Sequence, residues 1–319
     1  MEQRGGSPGD GGGIMCEVEL RKIGHGGNAE VYQRCTLGNG KDTSDSAARQ
    51  VVKRATGGMV SELQLRNEWM ILMSLNEAGY EYSPKGFAYS GKELVMEYID
   101  GITLDCVKMD EFSEAAFKKL IIDICEAVQA LHELRPAFIH KDLKPSNIMI
   151  DKTGKVYLID FGTAKLVKGY EQKEDCPGLS GDGISGAGTK RFAAPEQYGG
   201  LLGAFFGTDI FQLGKTIASL SAGANVSGRF MKELQEVIDK CCISNPAERY
   251  LRVSDVKSDI LRIKVAGKVH SYFEWIRGHN RKSLFFNRIK RSFAQSSMKS
   301  NKPAVFIDIV RTSDTIEFS

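Results

Sequence analysis

The chain has no long apolar run and no paired cysteine motif. No stretch approaches the roughly 18 apolar residues that a membrane-spanning helix needs, and the first residues are polar and glycine-rich, unlike a secretory signal peptide. The seven cysteines, at positions 16, 35, 106, 125, 176, 241 and 242, form no C-x-x-C pair, so neither a zinc site nor a disulfide framework is indicated. These absences predict an intracellular, cytoplasmic protein with buried, reduced thiols.

The overall composition is that of an ordinary globular protein. Of the 319 residues, 42% are hydrophobic and 26% are charged, so the chain can bury a large core. The formal net charge is +3, but from residue 267 onward ten Lys or Arg residues stand against four acidic residues. The basic character is therefore local to the C-terminal segment, and the preceding part of the chain is net negative.

The most informative segment covers residues 139–162 and reads IHKDLKPSNIMIDKTGKVYLIDFG. Its apolar stretches IMI and KVYLI flank an Asp-Lys-Thr-Gly turn, which predicts a hairpin. Asp142 can accept the proton of an attacking hydroxyl, Lys144 can balance charge on a moving phosphoryl group, and Asn147 and Asp160 can bind Mg²⁺. Each motif alone matches an ordinary surface turn, but their order and spacing favour phosphoryl transfer from ATP.

This segment resembles the catalytic loop and the metal-binding loop of eukaryotic-like (Hanks-type) serine/threonine protein kinases, through HKDLKPSN at 140–147 and DFG at 160–162. The resemblance implies an α+β, two-lobed protein-kinase-like fold, with a small β-rich N-lobe, a mainly helical C-lobe and ATP between them. The expected function is ATP-dependent phosphorylation of serine or threonine hydroxyls on protein substrates, with ATP and Mg²⁺ as cofactors. Lys144 and Thr189 favour serine or threonine over tyrosine as the acceptor.

A second motif near the N-terminus, IGHGGNAEVY at 23–32, resembles the glycine-rich loop of the same family, with Ala29 at the third glycine position. Glycine lets backbone amides approach phosphates closely and adopt dihedrals that a β-carbon disfavours. A dinucleotide-binding fold uses similar glycines but then enters a helix, whereas AEVYQRCTL is typical of a strand. The nucleotide-binding residues that the resemblance implies here are Ile23, Gly24, Gly26 and Val31.

The resemblance extends through the rest of the expected N-lobe. Lys53, at the end of QVVK, is implied to hold the α- and β-phosphates of ATP. A helix expected over about residues 60–76 supplies Glu68 as its ionic partner, with Glu62 as the alternative. Apolar positions in this helix pattern are Leu63, Trp69, Met70, Met73 and Leu75.

The segment ELVMEYIDG resembles the strand and hinge that join the two lobes. This likeness implies that Met96 lies at the back of the adenine pocket. It also implies that backbone groups from Glu97 to Ile99 meet the adenine edge. An apolar buried strand that ends at a glycine is expected with or without a nucleotide.

Beyond the metal loop, GTKRFAAPE at 188–196 resembles the segment that closes the activation loop and seats the peptide substrate, with Phe192 where the family usually has tyrosine. Asp209 and Arg249 match structural positions of the large lobe, and Glu196 with Arg249 is expected to form a buried ion pair.

One substitution in the catalytic loop bears on regulation. Lys141 stands where many kinases carry an arginine that binds a phosphorylated activation loop, and lysine lacks the bidentate geometry of arginine. Less dependence on loop phosphorylation is therefore expected. The loop at 164–192 nevertheless carries candidate autophosphorylation sites, which can equally serve only as solubilising hydroxyls: Tyr170, Ser180, Ser185 and Thr189.

The expected domain organisation has three parts. Residues 1–17 form a flexible glycine-rich N-terminus, and residues 18–263 form the kinase domain, with the N-lobe at about 18–97 and the C-lobe at about 101–263. Residues 264–319 form a basic extension. Its apolar stripe, interleaved with Arg and Lys in SLFFNRIKRSF, either packs on the large lobe or docks on an acidic partner surface, a nucleic acid or a membrane face.

Two rival functions remain open from the sequence. A small-molecule phosphotransferase of similar fold would share the base and the metal ligands, although the APE-like segment and the long loop before it suit a peptide. A catalytically inactive pseudokinase would use the same fold as a binding scaffold, although every catalytic residue type is present. An assay with ATP, Mg²⁺ and a protein acceptor separates these possibilities.

Overall fold

The computed structural model describes residues 17–37, 50–167, 191–199 and 205–265. The N-terminal part is a five-stranded antiparallel sheet with the strand order β1-β2-β3-β5-β4 and one long helix packed against it. Its elements are β1 (Glu17–His25), β2 (Ala29–Leu37), β3 (Gln50–Ala55), α1 (Met59–Glu77), β4 (Gly86–Tyr89) and β5 (Glu93–Glu97).

Strand β3 lies in the middle of this sheet and carries the candidate phosphate-binding lysine. Lys53 pairs with Val31 of β2 on one side and with Leu94 of β5 on the other. The preceding residues Val51 and Val52 are both buried. Since successive side chains of a strand point to opposite faces of the sheet, both faces of the sheet are covered at this point. The sheet register therefore holds the backbone of Lys53 rigidly.

Helix α1 buries only some of the apolar positions in its sequence pattern. Leu65, Leu72 and Leu75 are buried, at the spacing of one helical face. Two apolar positions of the sequence pattern, Leu63 and Met70, lie outside this face, with exposed fractions of 47% and 37%. The mixed spacing of apolar residues did not reveal which side of the helix would meet the sheet.

The C-terminal part is mainly helical, with short strands that carry the loops of the candidate site. Its elements are β6 (Gly101–Thr103), α2 (Glu114–Glu133), β7 (Ala137–Ile139), β8 (Ile148–Asp151), β9 (Val156–Leu158), β10 (Lys165–Val167), α3 (Glu196–Gly199), α4 (Phe206–Ser221), α5 (Gly228–Cys241) and α6 (Val253–Arg262). Strands β6, β8 and β9 form one small sheet, and β10 pairs with β7. The α+β division into a β-rich part and a helical part is confirmed.

Helix α2 is the centre of the helical core. It begins at Ser113, whose hydroxyl accepts a hydrogen bond from the Ala116 N–H at 3.2 Å and so caps the helix. Five of its large apolar side chains have no exposed surface: Phe117, Leu120, Ile121, Ile124 and Leu131. Each such burial stabilises the fold by about 1.5–3 kcal/mol relative to an exposed side chain. The buried helix thus gives the catalytic loop, which follows β7, a rigid support.

The predicted hairpin after the catalytic loop is confirmed. Strands β8 and β9 pair antiparallel from Ile148 opposite Leu158. Between them, Asp151 Oδ1 accepts hydrogen bonds from the N–H of Thr153 at 2.7 Å and of Lys155 at 2.9 Å, and Gly154 takes φ +90°. In this turn the aspartate side chain binds backbone N–H groups, and the glycine adopts a positive φ that other residues disfavour.

Several expectations concern residues outside the described ranges. These are the glycine-rich N-terminal segment, the four candidate phosphorylation sites in the loop at 164–192, and the basic extension beyond residue 265. Within the described ranges, no helix is both long enough and apolar enough to cross a membrane. Free thiols in these ranges include the buried Cys125, whose pKa burial raises to about 12, and Cys106, which is exposed and corrects the expectation of buried thiols.

Candidate active site

Asp142 lies at the centre of the site, and its two carboxylate oxygens differ in their hydrogen bonding to the described residues. Its Oδ2 accepts hydrogen bonds from Lys144 Nζ at 2.6 Å and from Asn147 Nδ2 at 2.9 Å. Its Oδ1 is buried and finds no hydrogen-bond partner within the described ranges. Since a buried polar atom normally has a partner, this oxygen is the natural acceptor for a group supplied by a ligand.

The same hydrogen bonds orient the candidate metal ligand Asn147. Its Nδ2 donates both to Asp142 Oδ2 and to the Asp142 carbonyl, each at 2.9 Å. The amide nitrogen is therefore turned toward the base, which leaves the amide oxygen as the group able to bind a cation. The structure brings Asp142, Lys144 and Asn147 together as expected.

The backbone of the catalytic loop is strained and is held by Asp209. Lys141 has φ +67°, a conformation that costs a non-glycine residue about 1–3 kcal/mol. The fully buried Asp209 carboxylate accepts hydrogen bonds from the N–H groups of His140 and Lys141, both at 2.8 Å, and from His132 Nε2 at 2.9 Å. Burial alone would raise the pKa of Asp209, but these hydrogen bonds lower it, so the carboxylate stays charged.

The candidate phosphate-binding lysine joins two acidic groups from distant parts of the chain. Lys53 Nζ lies 2.6 Å from Glu68 Oε2 and 2.8 Å from Asp160 Oδ1. The lysine partner is therefore Glu68, and the alternative, Glu62, is not needed. Burial by itself would lower the pKa of Lys53, but the carboxylates of Asp160 and Glu68 raise it, so the cation is retained.

Asp160 begins the metal loop in a left-handed conformation, with φ +64°. Partial burial opposes its ionisation, yet Lys53 lowers the pKa of Asp160 to about 2. The next residue, Phe161, is fully buried and packs on the His140 ring, with 4.8 Å between ring centroids. Together these contacts place an ionised carboxylate next to the catalytic loop.

Sequence reasoning missed the role of Asn67 on helix α1. Its Nδ2 lies 3.0 Å from the carbonyl oxygens of both Gly162 and Ala164, so it ties the metal loop to the helix. One turn earlier, Gln64 Oε1 accepts a hydrogen bond from Asn28 in the β1–β2 turn at 2.7 Å. The signal in the sequence is the polar set Gln64, Asn67 and Glu68, spaced along one helical face.

The glycine-rich loop is the β1–β2 hairpin, and its turn is closed by a hydrogen bond from the Gly26 N–H to the Ala29 carbonyl at 2.8 Å. Gly24 and Gly26 do not have positive φ, and an added Cβ would meet Val31 Cβ at 3.5 Å and the Ala29 oxygen at 3.6 Å, which are ordinary contacts. The expected dihedral requirement is therefore wrong here. Neither backbone conformation nor packing requires glycine at these two positions. The lack of a Cβ leaves their backbone N–H groups open to close approach by a phosphate.

The other expected nucleotide contacts lie in β1, in β5 and just after β5. Ile23 forms a bulge in β1 and is 40% exposed, and Met96 and Ile99 are buried. Glu97 is already engaged, because its N–H donates to the Lys85 carbonyl at 2.8 Å and its carboxylate accepts from the Lys85 N–H at 3.1 Å. The Glu97 N–H is therefore not free for adenine.

The expected ion pair of the large lobe is present. Arg249 donates to both carboxylate oxygens of Glu196, at 2.8 and 2.9 Å, and both side chains are buried. Arg249 also donates to three backbone carbonyls, those of Gly207, Ile243 and Ser244. This pair joins the APE-like segment to the helical core.

A family model of the protein kinase domain matches residues 18–261. The chain belongs to the protein kinase family. Among curated proteins it is 29% identical over 181 residues to serine/threonine-protein kinase F of Synechocystis, covering 51% of this chain and 35% of that protein. It is 26% identical over 276 residues to the serine/threonine-protein kinase PknB of Mycolicibacterium smegmatis, covering 76% and 42% respectively. This kinase chain thus spans less than half the length of these relatives.

The residues present fit the nucleotide and the metal that kinases use. No group of three or more His, Cys, Asp or Glu side chains that could enclose a cation occurs in the ranges that the structure describes. Asn147 and Asp160 offer one amide oxygen and one carboxylate, which suits Mg²⁺, since this ion keeps several waters and takes phosphate oxygens as further ligands. Lys53 and the glycine-rich turn fit the phosphates.

Proposed function

We propose that this kinase transfers the γ-phosphoryl group of ATP to serine or threonine hydroxyls of protein substrates. The observation that carries the proposal is the state of Asp142. It is a buried carboxylate with one oxygen fixed by Lys144 and Asn147 and the other oxygen, Oδ1, without a partner in the described ranges. A buried polar oxygen without a partner costs free energy, so this arrangement favours a site that a ligand group completes over a scaffold without catalysis.

Each charged residue has a role in the transfer. Asp142 Oδ1 accepts a hydrogen bond from the acceptor hydroxyl and takes its proton as the hydroxyl oxygen bonds to the γ-phosphorus of ATP. The bond from that phosphorus to the oxygen bridging the β- and γ-phosphates breaks, and ADP leaves with the bridging oxygen. Lys144, 2.6 Å from Asp142 Oδ2, offsets the negative charge of the transferred group. Lys53 holds the phosphates, and Glu68 keeps its ammonium in place. Bound by Asn147 and Asp160, Mg²⁺ would neutralise charge on the phosphate oxygens.

A protein acceptor is favoured by the space beside the catalytic loop. A cavity of about 680 Å³ is lined there by Lys144, Pro145 and Ser146, by Arg191 and Phe192, and by residues of the 104–110 segment. Apolar side chains such as Leu104, Met109 and Phe192 contribute to its walls, so it suits a peptide side chain better than a small polar metabolite. The names of the curated relatives agree with serine or threonine as acceptor.

The test is a radiolabelled ATP·Mg²⁺ assay on the purified chain with a generic basic protein as substrate. We expect label on serine or threonine after acid hydrolysis, and none with Asp142→Asn, which removes the base and keeps the side-chain shape. Folding of the variant is checked by a thermal melt and by nucleotide binding. Absence of label from a folded, ATP-binding wild-type chain would contradict the proposal and direct the search to small-molecule acceptors.

Four narrower expectations belong to the same proposal. Autophosphorylation within residues 164–192 would appear in peptide mass spectrometry after incubation with ATP, and it should be absent in Asp142→Asn. The basic segment beyond residue 264 would bind an acidic partner, and binding should weaken as salt concentration rises. The domain limits, 18–263, and a cytoplasmic location would be tested by limited proteolysis and by cell fractionation.

A further inference from the structure

One face of helix α4 is built from polar residues that bind the catalytic loop. Asp209, Gln212 and Thr216 are spaced by three and four residues, so they share a helical face, and all three are fully buried. Asp209 binds the N–H groups of His140 and Lys141, and Thr216 Oγ1 donates to the Leu143 carbonyl at 3.2 Å. The backbone on both sides of Asp142 is therefore held from one direction.

Gln212 completes this face and makes three hydrogen bonds. Its Oε1 accepts from the Leu143 N–H at 2.8 Å, and its Nε2 donates to the Lys141 carbonyl at 2.7 Å and to Gln197 Oε1 at 2.9 Å. Since both amide ends are used, the side chain has a single satisfied orientation. A buried amide whose hydrogen-bonding groups are all satisfied fixes the positions of the groups that it binds.

Gln197 connects Gln212 and the Lys141 carbonyl to residues 191–195, which precede it in the chain. Its Nε2 donates to the Lys141 carbonyl at 3.0 Å, and its Oε1 accepts from the Ala194 N–H at 2.8 Å. Ala194 follows Arg191 and Phe192, which line the cavity beside Lys144. One half-buried glutamine thus joins the wall of the cavity to the strained peptide that precedes the base.

We propose that Gln197 is a positioning residue, whose amide couples the 191–195 segment of the cavity wall to the catalytic loop through Lys141 and Gln212. The Lys141 residue has φ +67° and is held by Asp209 at its N–H and by two glutamines at its carbonyl. Loss of one glutamine lets this peptide relax and shifts the adjacent Asp142. The inference rests on the proposed kinase function, because its readout is transfer to a protein.

The first test replaces Gln197 with Met, which keeps length and removes both hydrogen-bonding ends. We expect kcat for protein phosphorylation to fall about 10- to 100-fold, since a small misplacement of a catalytic group has effects of this size. The dissociation constant for ATP should stay within about twofold, because no contact of Lys53 changes. The matched control is Gln235→Met, which removes an exposed glutamine that bonds only Asp239 among the described contacts. This control should behave as wild type.

The second test is a double-mutant cycle with Gln212→Met. If the two glutamines act as one link, the double variant should be no slower than the slower single variant, whereas independent effects multiply. If the reductions in kcat of the two single variants multiply in the double variant, the two glutamines do not act together, and the proposed coupling is overturned. An unchanged kcat in folded Gln197→Met would overturn the proposal, and so would a parallel loss of kcat, ATP affinity and melting temperature, which indicates a merely structural role.

Three outcomes lead to different conclusions. If Gln197→Met does not melt cooperatively, Gln197→Asn is measured instead, since it keeps the amide but is one methylene too short to reach both partners, and the same criteria apply. If the wild-type chain is folded and binds ATP but transfers no phosphate to protein, the proposed function itself fails. If the wild type is active and Gln197→Met equals it, the inference alone fails.

Discussion

Replacement of Asp160 by Asn should separate catalysis from folding. The Asp160 side chain is 46% exposed, and its carboxylate contacts Lys53 at 2.8 Å. Asparagine has nearly the same shape and tolerates the left-handed backbone, φ +64°, that Asp160 adopts. The change therefore removes a negative charge and leaves packing and backbone strain almost unaltered.

The expected loss of stability is small. A hydrogen bond to a charged group contributes about 1.5–3 kcal/mol when it is well buried. Here the contribution is reduced to about 1 kcal/mol, because solvent screens a side chain that is nearly half exposed and Lys53 keeps Glu68 at 2.6 Å. For a domain of this size, 1 kcal/mol corresponds to about 2–4 °C in melting temperature.

The expected loss of activity is much larger. Removal of one preorganised electrostatic group from an active site lowers kcat by about 10²–10³, or about 3–4 kcal/mol of transition-state stabilisation. The assay is phosphate transfer under saturating ATP and Mg²⁺, beside a thermal melt of the same preparation. A variant that loses more than about 10 °C in melting temperature, or that keeps a tenth or more of wild-type kcat, would refute this reasoning.

Three further predictions follow from buried or charged contacts. Arg249→Met should destabilise the fold by about 3–5 kcal/mol, because it leaves the Glu196 carboxylate buried without its partner, and a denaturant titration should show the midpoint recovering when Glu196→Gln is added. Glu68→Gln should lower kcat about tenfold or more while the chain stays folded, because among the described residues Lys53 then keeps Asp160 alone as an ionised partner. Single-turnover kinetics would measure this loss, and unchanged kinetics would show that the Lys53–Glu68 ion pair is dispensable. The pKa of Asp160 is lowered to about 2 from its ordinary 3.8, so its ion pair stabilises the fold above about pH 4 and loses that effect as the pH falls toward 2. Melting temperatures of wild type and Asp160→Asn should accordingly converge in acid, and a gap that stays constant from pH 5 to pH 2 would contradict the assignment.

Residues close together in sequence were predictable from the sequence. Asp142, Lys144 and Asn147 lie within six positions of one another, so a single loop with a known motif brings them together. The hairpin after them was predictable for the same reason, since a turn between two apolar stretches is a local signal. Lys53 and Glu68 required the family resemblance, because nothing local distinguishes Glu68 from Glu62 as the partner.

Contacts between distant segments were not predictable in this way. Asn67 on α1 binds carbonyls of the metal loop. The sequence shows a polar helical face that includes Asn67, but it does not show which distant segment that face contacts. The exposed positions Leu63 and Met70 show the same limit, because the face a helix buries depends on the element packed against it. The engaged Glu97 N–H likewise depends on Lys85 of a preceding loop.

The sequence by itself determined the family, the division into a β-rich and a helical part, and the chemical groups of the site, because these are carried by short motifs in a fixed order. Only the tertiary structure decided how the base is held. Asp209, Gln212 and Gln197 come from parts of the chain far from Asp142, and they act there because buried backbone groups must find hydrogen-bond partners wherever packing brings them. Which side chains meet this requirement depends on the packing of distant segments, so the short motifs of the sequence do not show it.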